Sequence, residues 1–155
     1  MKALLAATLF FGLAMPMGAR ADFNNDGGFE NSPIHASYIG RRKAQQLVTL
    51  MYRAILFRNP EPGGLQNWTN LILQNQEQGV FQAAYEIAES NEFRRNIATR
   101  YSARDIVTNY YRVFLGRAPD RDGLRNWISL QRQGQYGEVA QGFVGSEEFR
   151  NRIGF

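Results

Sequence analysis

The sequence contains no cysteine and a single histidine, His35. Without cysteine, the chain has no disulfide bond to stabilise it and no thiol that could carry a lipid anchor. A lone histidine with no thiol beside it leaves both a zinc site and a hydrolytic triad without their usual residues. We therefore expect no metal, no cofactor and no enzymatic activity.

An excess of charge of one sign is also missing, since the 155 residues carry a net charge of only +4. Two of the positive charges, Lys2 and Arg20, lie in an N-terminal segment that we expect to be removed, which leaves +2. This balance is too weak to indicate a nucleic-acid partner, whose phosphates attract clustered basic residues. We expect most arginines to solvate the surfaces of helices.

Long hydrophobic runs are absent, and the N terminus has only a short one. Residues 3–15 are apolar, Pro16 and Gly18 interrupt the run, and residues 19–21 read Ala-Arg-Ala, a small-x-small pattern that signal peptidase cleaves. The run is shorter than the roughly 20 residues that cross a bilayer. We therefore predict a signal peptide over residues 1–21, cleaved after Ala21, and a periplasmic or secreted bacterial protein without a transmembrane anchor.

The segment after the predicted cleavage site reads DFNNDGGFE. Asp22, Asn24 and Asp26 alternate ahead of a glycine, as at the opening of a calcium-binding loop. The twelfth position of such a loop supplies a bidentate carboxylate, but here it is Pro33. We favour a flexible segment over residues 22–39 and keep the three polar residues as weak calcium candidates.

The chain contains an internal repeat. YRAILFRNPEPGGLQNW at residues 52–68 returns as YRVFLGRAPDRDGLRNW at residues 111–127, 59 positions later. The later stretch SNEFR returns as SEEFR after 56 positions, so the second copy has lost three residues after its tryptophan. A match that survives such a deletion is typical of a duplicated structural unit. We assign residues 40–99 to the first copy and residues 100–155 to the second.

The first helix of each copy is indicated by apolar residues at helical spacing. These residues are Leu47, Met51, Ala54 and Ile55 in the first copy and Ile106, Tyr110, Val113 and Phe114 in the second. The helix should end ahead of Pro60 in the first copy and Pro119 in the second, because the residue before a proline disfavours the helical conformation.

Three further helices are predicted in each copy. The second begins just after Pro60 or Pro119, beside the acidic residues of that turn, and carries the tryptophan. The third covers residues 80–88 in the first copy and 138–144 in the second, and Ser90 and Ser146 should cap a short fourth helix. Strand signals are weak throughout. We therefore predict an all-α fold in which two tandem four-helix repeats form one compact helical domain.

The repeated motif reads Tyr-Arg-x-x-Leu-x-Arg-x-Pro-(Asp/Glu)-x-x-Gly-Leu-x-x-Trp, followed by Phe-x-x-Ser-x-Glu-Phe. It resembles the bacterial domain-of-unknown-function 4214 family, which is similar to phycobilisome linker domains. The fit is best at residues 111–127 and 143–149, whereas the first copy has Glu-Pro-Gly at residues 61–63 and Ile87 in place of Phe143. The resemblance implies a small helical module of exported bacterial proteins, often an accessory unit, without established catalytic activity.

The candidate binding residues are Trp68 and Trp127, with Arg58 and Arg117. Burying an aromatic side chain removes roughly 150–250 Å² from water, which is about 4–6 kcal/mol. This gain favours packing of both indoles in the core, and the alternative is a platform on which a sugar stacks. The two arginines follow the first helix of each copy, where cations stabilise the free carbonyls and meet the acidic residues of the corner. Their alternative role is anion binding.

Two functional hypotheses follow from these patterns. The first is an exported, non-catalytic interaction module that binds a protein partner or a cell-surface polymer such as a glycan in the bacterial envelope. The second is a carboxylate-based carbohydrate-active hydrolase, which needs two carboxylates in one cleft, drawn from Glu61, Glu86 and Asp120. A purely structural spacer would differ from the first by lacking an exposed binding patch.

Overall fold

The structure is a computed structural model that describes residues 38–154. The predicted signal peptide, the calcium candidates Asp22, Asn24 and Asp26, and His35 lie outside the described residues. The described part consists of helices joined by turns and contains no strand, which confirms the all-α prediction. Within this part, no helix combines the length and the apolar character that crossing a membrane requires.

The first copy contains two long helical elements. Helix α1 spans Arg41–Met51 and continues directly into a π-helical turn, Tyr52–Leu56. Helix α2 spans Pro62–Glu89 and is kinked at Gln76, whose φ of 52° and ψ of −128° are not helical. A further π-helical turn, Phe93–Ile97, closes this copy.

The kink in α2 is held by the side chain of Gln76. Its amide nitrogen donates to the carbonyl of Leu73 at 2.8 Å, and its amide oxygen accepts the N–H of Ile39 at 2.8 Å. Ile39, at the end of the segment that we expected to be flexible, is buried. The second and third predicted helices of the first copy are therefore the two limbs of α2, which the non-helical backbone of Gln76 separates.

The second copy contains shorter elements in the same order. Helix α3 spans Ala103–Tyr110 and continues into a π-helical turn, Tyr111–Leu115. It is followed by the last three helices, α4 (Arg121–Arg132), α5 (Tyr136–Val144) and α6 (Glu147–Ile153). Here a turn separates the second and third predicted helices, whereas in the first copy only the kink at Gln76 lies between them.

The first helix of each copy ends before its proline, as predicted. The residue that ends it has a left-handed backbone conformation. This residue is Phe57 in the first copy, with φ of 58°, and Gly116 in the second, with φ of 70°. The N–H of the arginine that follows donates to the carbonyl of the repeated tyrosine, at 3.5 and 3.3 Å. The left-handed conformation lets this N–H reach back to the tyrosine carbonyl, so the helix has already ended when the chain reaches the proline.

Both predicted serine caps are confirmed. The hydroxyl of Ser90 accepts the N–H of Phe93 at 3.1 Å, and the hydroxyl of Ser146 accepts the N–H of Phe149 at 3.2 Å. Each cap satisfies an N–H group that the first helical turn leaves without an intrahelical partner.

The hydrophobic core forms where α2 packs against α1 and α5. In the second copy this core is aromatic. Tyr110 meets Phe114 and Phe143 edge-on, with ring centroids 5.6 and 5.4 Å apart, and Phe114 meets Phe149 at 5.5 Å. All four rings are buried, and edge-to-face pairs contribute about 0.5–1.5 kcal/mol each beyond burial.

Candidate functional site

The repeated residues meet at the corner between the first helix of each copy and the helix that follows it. Tyr52 is buried there, and a Cβ added to Gly64 would stand 2.4 Å from its hydroxyl oxygen. The same relationship joins Tyr111 and Gly123, at 2.3 Å. Only glycine leaves room for the hydroxyl, so the tyrosine and the glycine of the motif require each other.

The repeated tryptophans pack over these corners. The indole N–H of Trp68 donates to the hydroxyl of Tyr52 at 3.2 Å, and burial raises the pKa of that hydroxyl. Trp68 and Trp127 both pack against the core and are half-buried. Each indole is therefore at the edge of the core, neither fully buried in it nor fully exposed to solvent.

The guanidinium of Arg58 is engaged by carboxylates of the chain. It donates to both carboxylate oxygens of Glu92 at 2.6 and 2.8 Å, pairs with Glu61 at 2.6 Å, and lies 4.9 Å from the centre of the Tyr52 ring. The hydrogen bonds to Glu92 and Glu61 raise the pKa of Arg58, and the bond from Arg58 lowers the pKa of Glu61. The sequence predicted the contact with the corner but not the one with Glu92.

Arg117 makes the same contacts in the second copy. It donates to both carboxylate oxygens of Glu148 at 2.5 and 2.8 Å, lies 3.5 Å from Asp120, and sits 5.0 Å from the centre of the Tyr111 ring. The bond from Arg117 lowers the pKa of Glu148. Both arginines therefore tie a corner to the last helical segment of their own copy, and their donors are directed at the chain itself.

The two tryptophans differ in what faces them. A Cβ added to Gly142 would stand 2.3 Å from the Trp127 ring, whose centroid lies 5.1 Å from that of Phe143. In the first copy the position equivalent to Gly142, 56 residues earlier, is Glu86. The first copy therefore lacks the glycine that makes room for the Trp127 ring in the second.

An open cleft of about 610 Å³ lies beside Trp68. Residues of both limbs of α2, on either side of Gln76, line it. The polar side chains of the cleft are Glu61, Asn67, Gln82 and Glu86. The amide of Gln82 donates to the carboxylate of Glu86 at 2.8 Å. An aromatic ring beside amides and carboxylates suits a ligand that offers both a flat apolar face and hydrogen-bonding groups.

Two of the three carboxylates that were considered for hydrolysis lie in the same cleft, and the third lies elsewhere. Glu61 and Glu86 line the cleft, whereas Asp120 caps α4 by accepting the N–H of Gly123 at 2.8 Å. Hydrogen bonding to Gly123 lowers the pKa of Asp120. Of the four predicted binding residues, only Trp68 lines the cleft.

The model of one family, described as "Domain of unknown function (DUF4214)", matches residues 84–153. This match supports the resemblance carried by the motif of the second copy. The matched segment contains α3 to α6 and, of the residues that line the cleft, Glu86 alone. No curated protein matches the chain.

Proposed function

We propose that this chain is an exported, non-catalytic interaction module of the bacterial envelope that binds a cell-surface polymer or a protein partner in the cleft beside Trp68. One observation carries the proposal. In the first copy Trp68 and Glu86 line this cleft, whereas Trp127 packs against Gly142 at the equivalent place in the second. The contacts of the corner recur in both copies, whereas the residue that faces the tryptophan differs between them.

We further propose that the chain is built from two tandem copies of one four-helix unit. The support is the recurrence of three contacts in both copies: the Tyr–Gly approach, the arginine over the tyrosine ring, and the bidentate Arg–Glu pair. Recurring contacts of this kind explain the repeated motif as a structural requirement. They leave the residues that differ between the copies as the place to look for function.

The composition of the cleft favours a hydroxyl-rich polymer as the ligand. Sugar rings offer an apolar face that can lie on an indole, and their hydroxyls can pair with Asn67, Gln82 and Glu86. Glu61 contributes less, because Arg58 already holds its carboxylate. A peptide with an amide or hydroxyl side chain beside an apolar residue presents the same chemistry and is the alternative partner.

Binding to a glycan array and capture of proteins from envelope extract would test the proposal. Gln82→Ala and Trp68→Ala should each weaken binding by about tenfold, the loss expected for a central contact. Gln78→Ala is the matched control, because Gln78 is an exposed residue of the same helix that does not line the cleft. A ligand whose affinity is unchanged by both cleft variants would contradict the assignment of the site.

A hydrolase is the second candidate, because Glu61 and Glu86 line one cleft. A general acid needs a pKa raised toward neutrality, whereas hydrogen bonding from Arg58 lowers the pKa of Glu61. This direction disfavours Glu61 as an acid. Turnover of an oligosaccharide that disappears in Glu86→Gln, while binding persists, would establish the hydrolase and overturn the non-catalytic proposal.

A further inference from the structure

A groove lined by arginines lies in the second copy, away from the Trp68 cleft. It has a volume of about 740 Å³ and shares no lining residue with that cleft. Four of the side chains that line it are cationic: Arg104 of α3, and Arg121, Arg125 and Arg132 of α4. The other lining residues are Leu124, Ile128, Ser129 and Gln133.

The arginines of α4 form a row. Arg121, Arg125 and Arg132 are separated by four and seven residues, a spacing that places all three on one face of a helix. At 1.5 Å per residue, they are roughly 6 and 10 Å apart along the helix axis. Arg104 approaches the same groove from α3. Four like charges on one groove repel each other and attract an anion.

The chain supplies these arginines with little negative charge. Arg125 lies 3.6 Å from Asp122, and both of these side chains are largely exposed, so that their pairing is weak. Among residues 38–154, no carboxylate lies within ion-pair distance of Arg104, Arg121 or Arg132. Arg58 and Arg117, in contrast, are each held by two carboxylates.

The fold does not require this basic row. With the offset of 59 positions, the residues of the first copy that correspond to Arg104, Arg121, Arg125 and Arg132 are Gln45, Pro62, Gln66 and Leu73. The first copy therefore builds its corner and its second helix without a single arginine at these positions. The basic row is a property of the second copy.

A buried amide lies at the end of the row. Arg132 also lines an adjoining cavity of about 230 Å³, together with Gln131. Gln131 is only 3% exposed, and neither atom of its amide forms a hydrogen bond within the described part of the chain. The corresponding residue of the first copy is Ile72, which is fully buried. Beside Arg132, the second copy thus has an unpaired amide at the position where the first copy has an apolar core residue.

We propose that the groove binds the acidic groups of a linear anionic polysaccharide. The planar guanidinium pairs with carboxylates through two hydrogen bonds, and a row of arginines suits an acidic group that recurs along a chain. Ser129 and Gln133 can pair with sugar hydroxyls. The Gln131 amide is placed to bond a group that enters past Arg132.

Other polyanions fit the groove less well. Nucleic acid in single-stranded form binds through aromatic rings on which its bases stack, and none of the residues that line the groove is aromatic. The adjoining cavity contains Tyr101 and Tyr136, but these rings already pack against Phe57 and Phe93. An acidic peptide gains affinity from apolar anchors, yet the apolar lining consists of Leu124 and Ile128, and Ile128 is buried. Sugars carrying carboxylates need neither feature.

Fluorescence anisotropy with labelled polygalacturonate oligomers, at low salt, would test the proposal on the purified protein. The triple variant R121Q/R125Q/R132Q should bind at least about tenfold more weakly. The matched control R42Q/R95Q/R100Q removes the same charge from exposed arginines outside the groove and should change the affinity by less than about twofold. Neutral dextran should not bind, and Trp68→Ala should leave polygalacturonate binding unchanged.

Three results would overturn the proposal. The wild-type protein could fail to bind polygalacturonate. The two triple variants could lose the same affinity, which would indicate unspecific attraction. Single-stranded DNA or polyglutamate of equal charge could bind more tightly than polygalacturonate, which would assign the groove to another class of partner. Because the groove and the Trp68 cleft share no lining residue, each of these results leaves the proposal for the cleft in place.

Discussion

The indole of Trp127 lies so close to Gly142 that a Cβ at that glycine would stand 2.3 Å from the ring. The first copy has Glu86 at the equivalent position, and there the tryptophan borders an open cleft. The two copies share the corner and its contacts but differ at this position beside the tryptophan. The exchange therefore distinguishes a tryptophan that packs against a glycine from one that lines an open cleft.

The contact between Trp127 and Gly142 predicts that Gly142→Ala lowers the free energy of unfolding by about 1–3 kcal/mol, the usual effect of overpacking. Urea denaturation would measure it. The control is Gly63→Ala in α2, where an added Cβ meets nothing within 4 Å. This control should be neutral or up to about 1 kcal/mol more stable, because alanine favours a helix. A Gly142→Ala variant as stable as its control would show that the indole is not held there.

Two tyrosines should respond in opposite ways to the loss of their hydroxyl. Tyr52→Phe removes the acceptor of the Trp68 indole N–H and should lower the free energy of unfolding by about 1 kcal/mol. The buried hydroxyl of Tyr110 forms no hydrogen bond within residues 38–154, so Tyr110→Phe should be neutral or stabilising. Thermal denaturation of both variants checks this contrast. A strongly destabilised Tyr110→Phe variant would reveal a partner for that hydroxyl.

Gln131→Ile should raise the free energy of unfolding by about 1 kcal/mol or more, because it removes a buried amide without a partner. Isoleucine is the residue that the first copy has at this position. The same variant should weaken the binding of polygalacturonate if the amide contacts the ligand. Chemical denaturation gives the stability, and a destabilised variant would mean that the amide is satisfied in the folded chain.

The ion pair of Arg117 and Glu148 predicts a dependence of stability on pH. The bond from Arg117 lowers the folded-state pKa of Glu148 below the unfolded value of about 4.3. The stabilisation is therefore present above that unfolded value and is lost as the pH falls through the lower folded pKa. Glu148→Gln should thus be less stable than wild type at pH 7, and the difference should shrink in acid.

The magnitude at neutral pH should be about 0.5–1 kcal/mol, because both side chains are about two-fifths exposed, at 42% each. Glu147→Gln is the matched control. Glu147 lies in the same helical turn, and its carboxylate forms no ion pair among the described residues. A difference between Glu148→Gln and wild type that stays constant from pH 7 to pH 3 would contradict the role of the pair.

Much of the helical architecture could be predicted from local patterns. The serine caps, the end of each first helix and the all-α class depend on neighbouring residues, and the structure confirms them. A break between the second and third helices of the first copy was predicted, but its position at Gln76 was not, because Gln76 there accepts a hydrogen bond from Ile39, 37 positions away. The bidentate pairs escaped prediction for the same reason, since Glu92 lies 34 positions from Arg58.

The repeat does indicate the candidate sites, but through the residues that differ between its two copies and not through those that they share. Attention to the shared residues selected Arg58, Arg117, Trp68 and Trp127, and the structure shows that the arginines are paired within the chain. The exchange of Glu86 for Gly142 was visible in the sequence. Its meaning required the position of the indole, because only packing shows which side chain a glycine makes room for.

The most direct test of the central claim uses the fact that the chain has only two tryptophans. Two-dimensional ¹⁵N NMR resolves one indole N–H signal for each, and Trp68→Phe assigns them. During titration with a ligand found on the glycan array or in envelope extract, the signal of Trp68 should shift while that of Trp127 stays in place. Binding that leaves the Trp68 signal unmoved, or that shifts only the Trp127 signal, would contradict the assignment of the cleft.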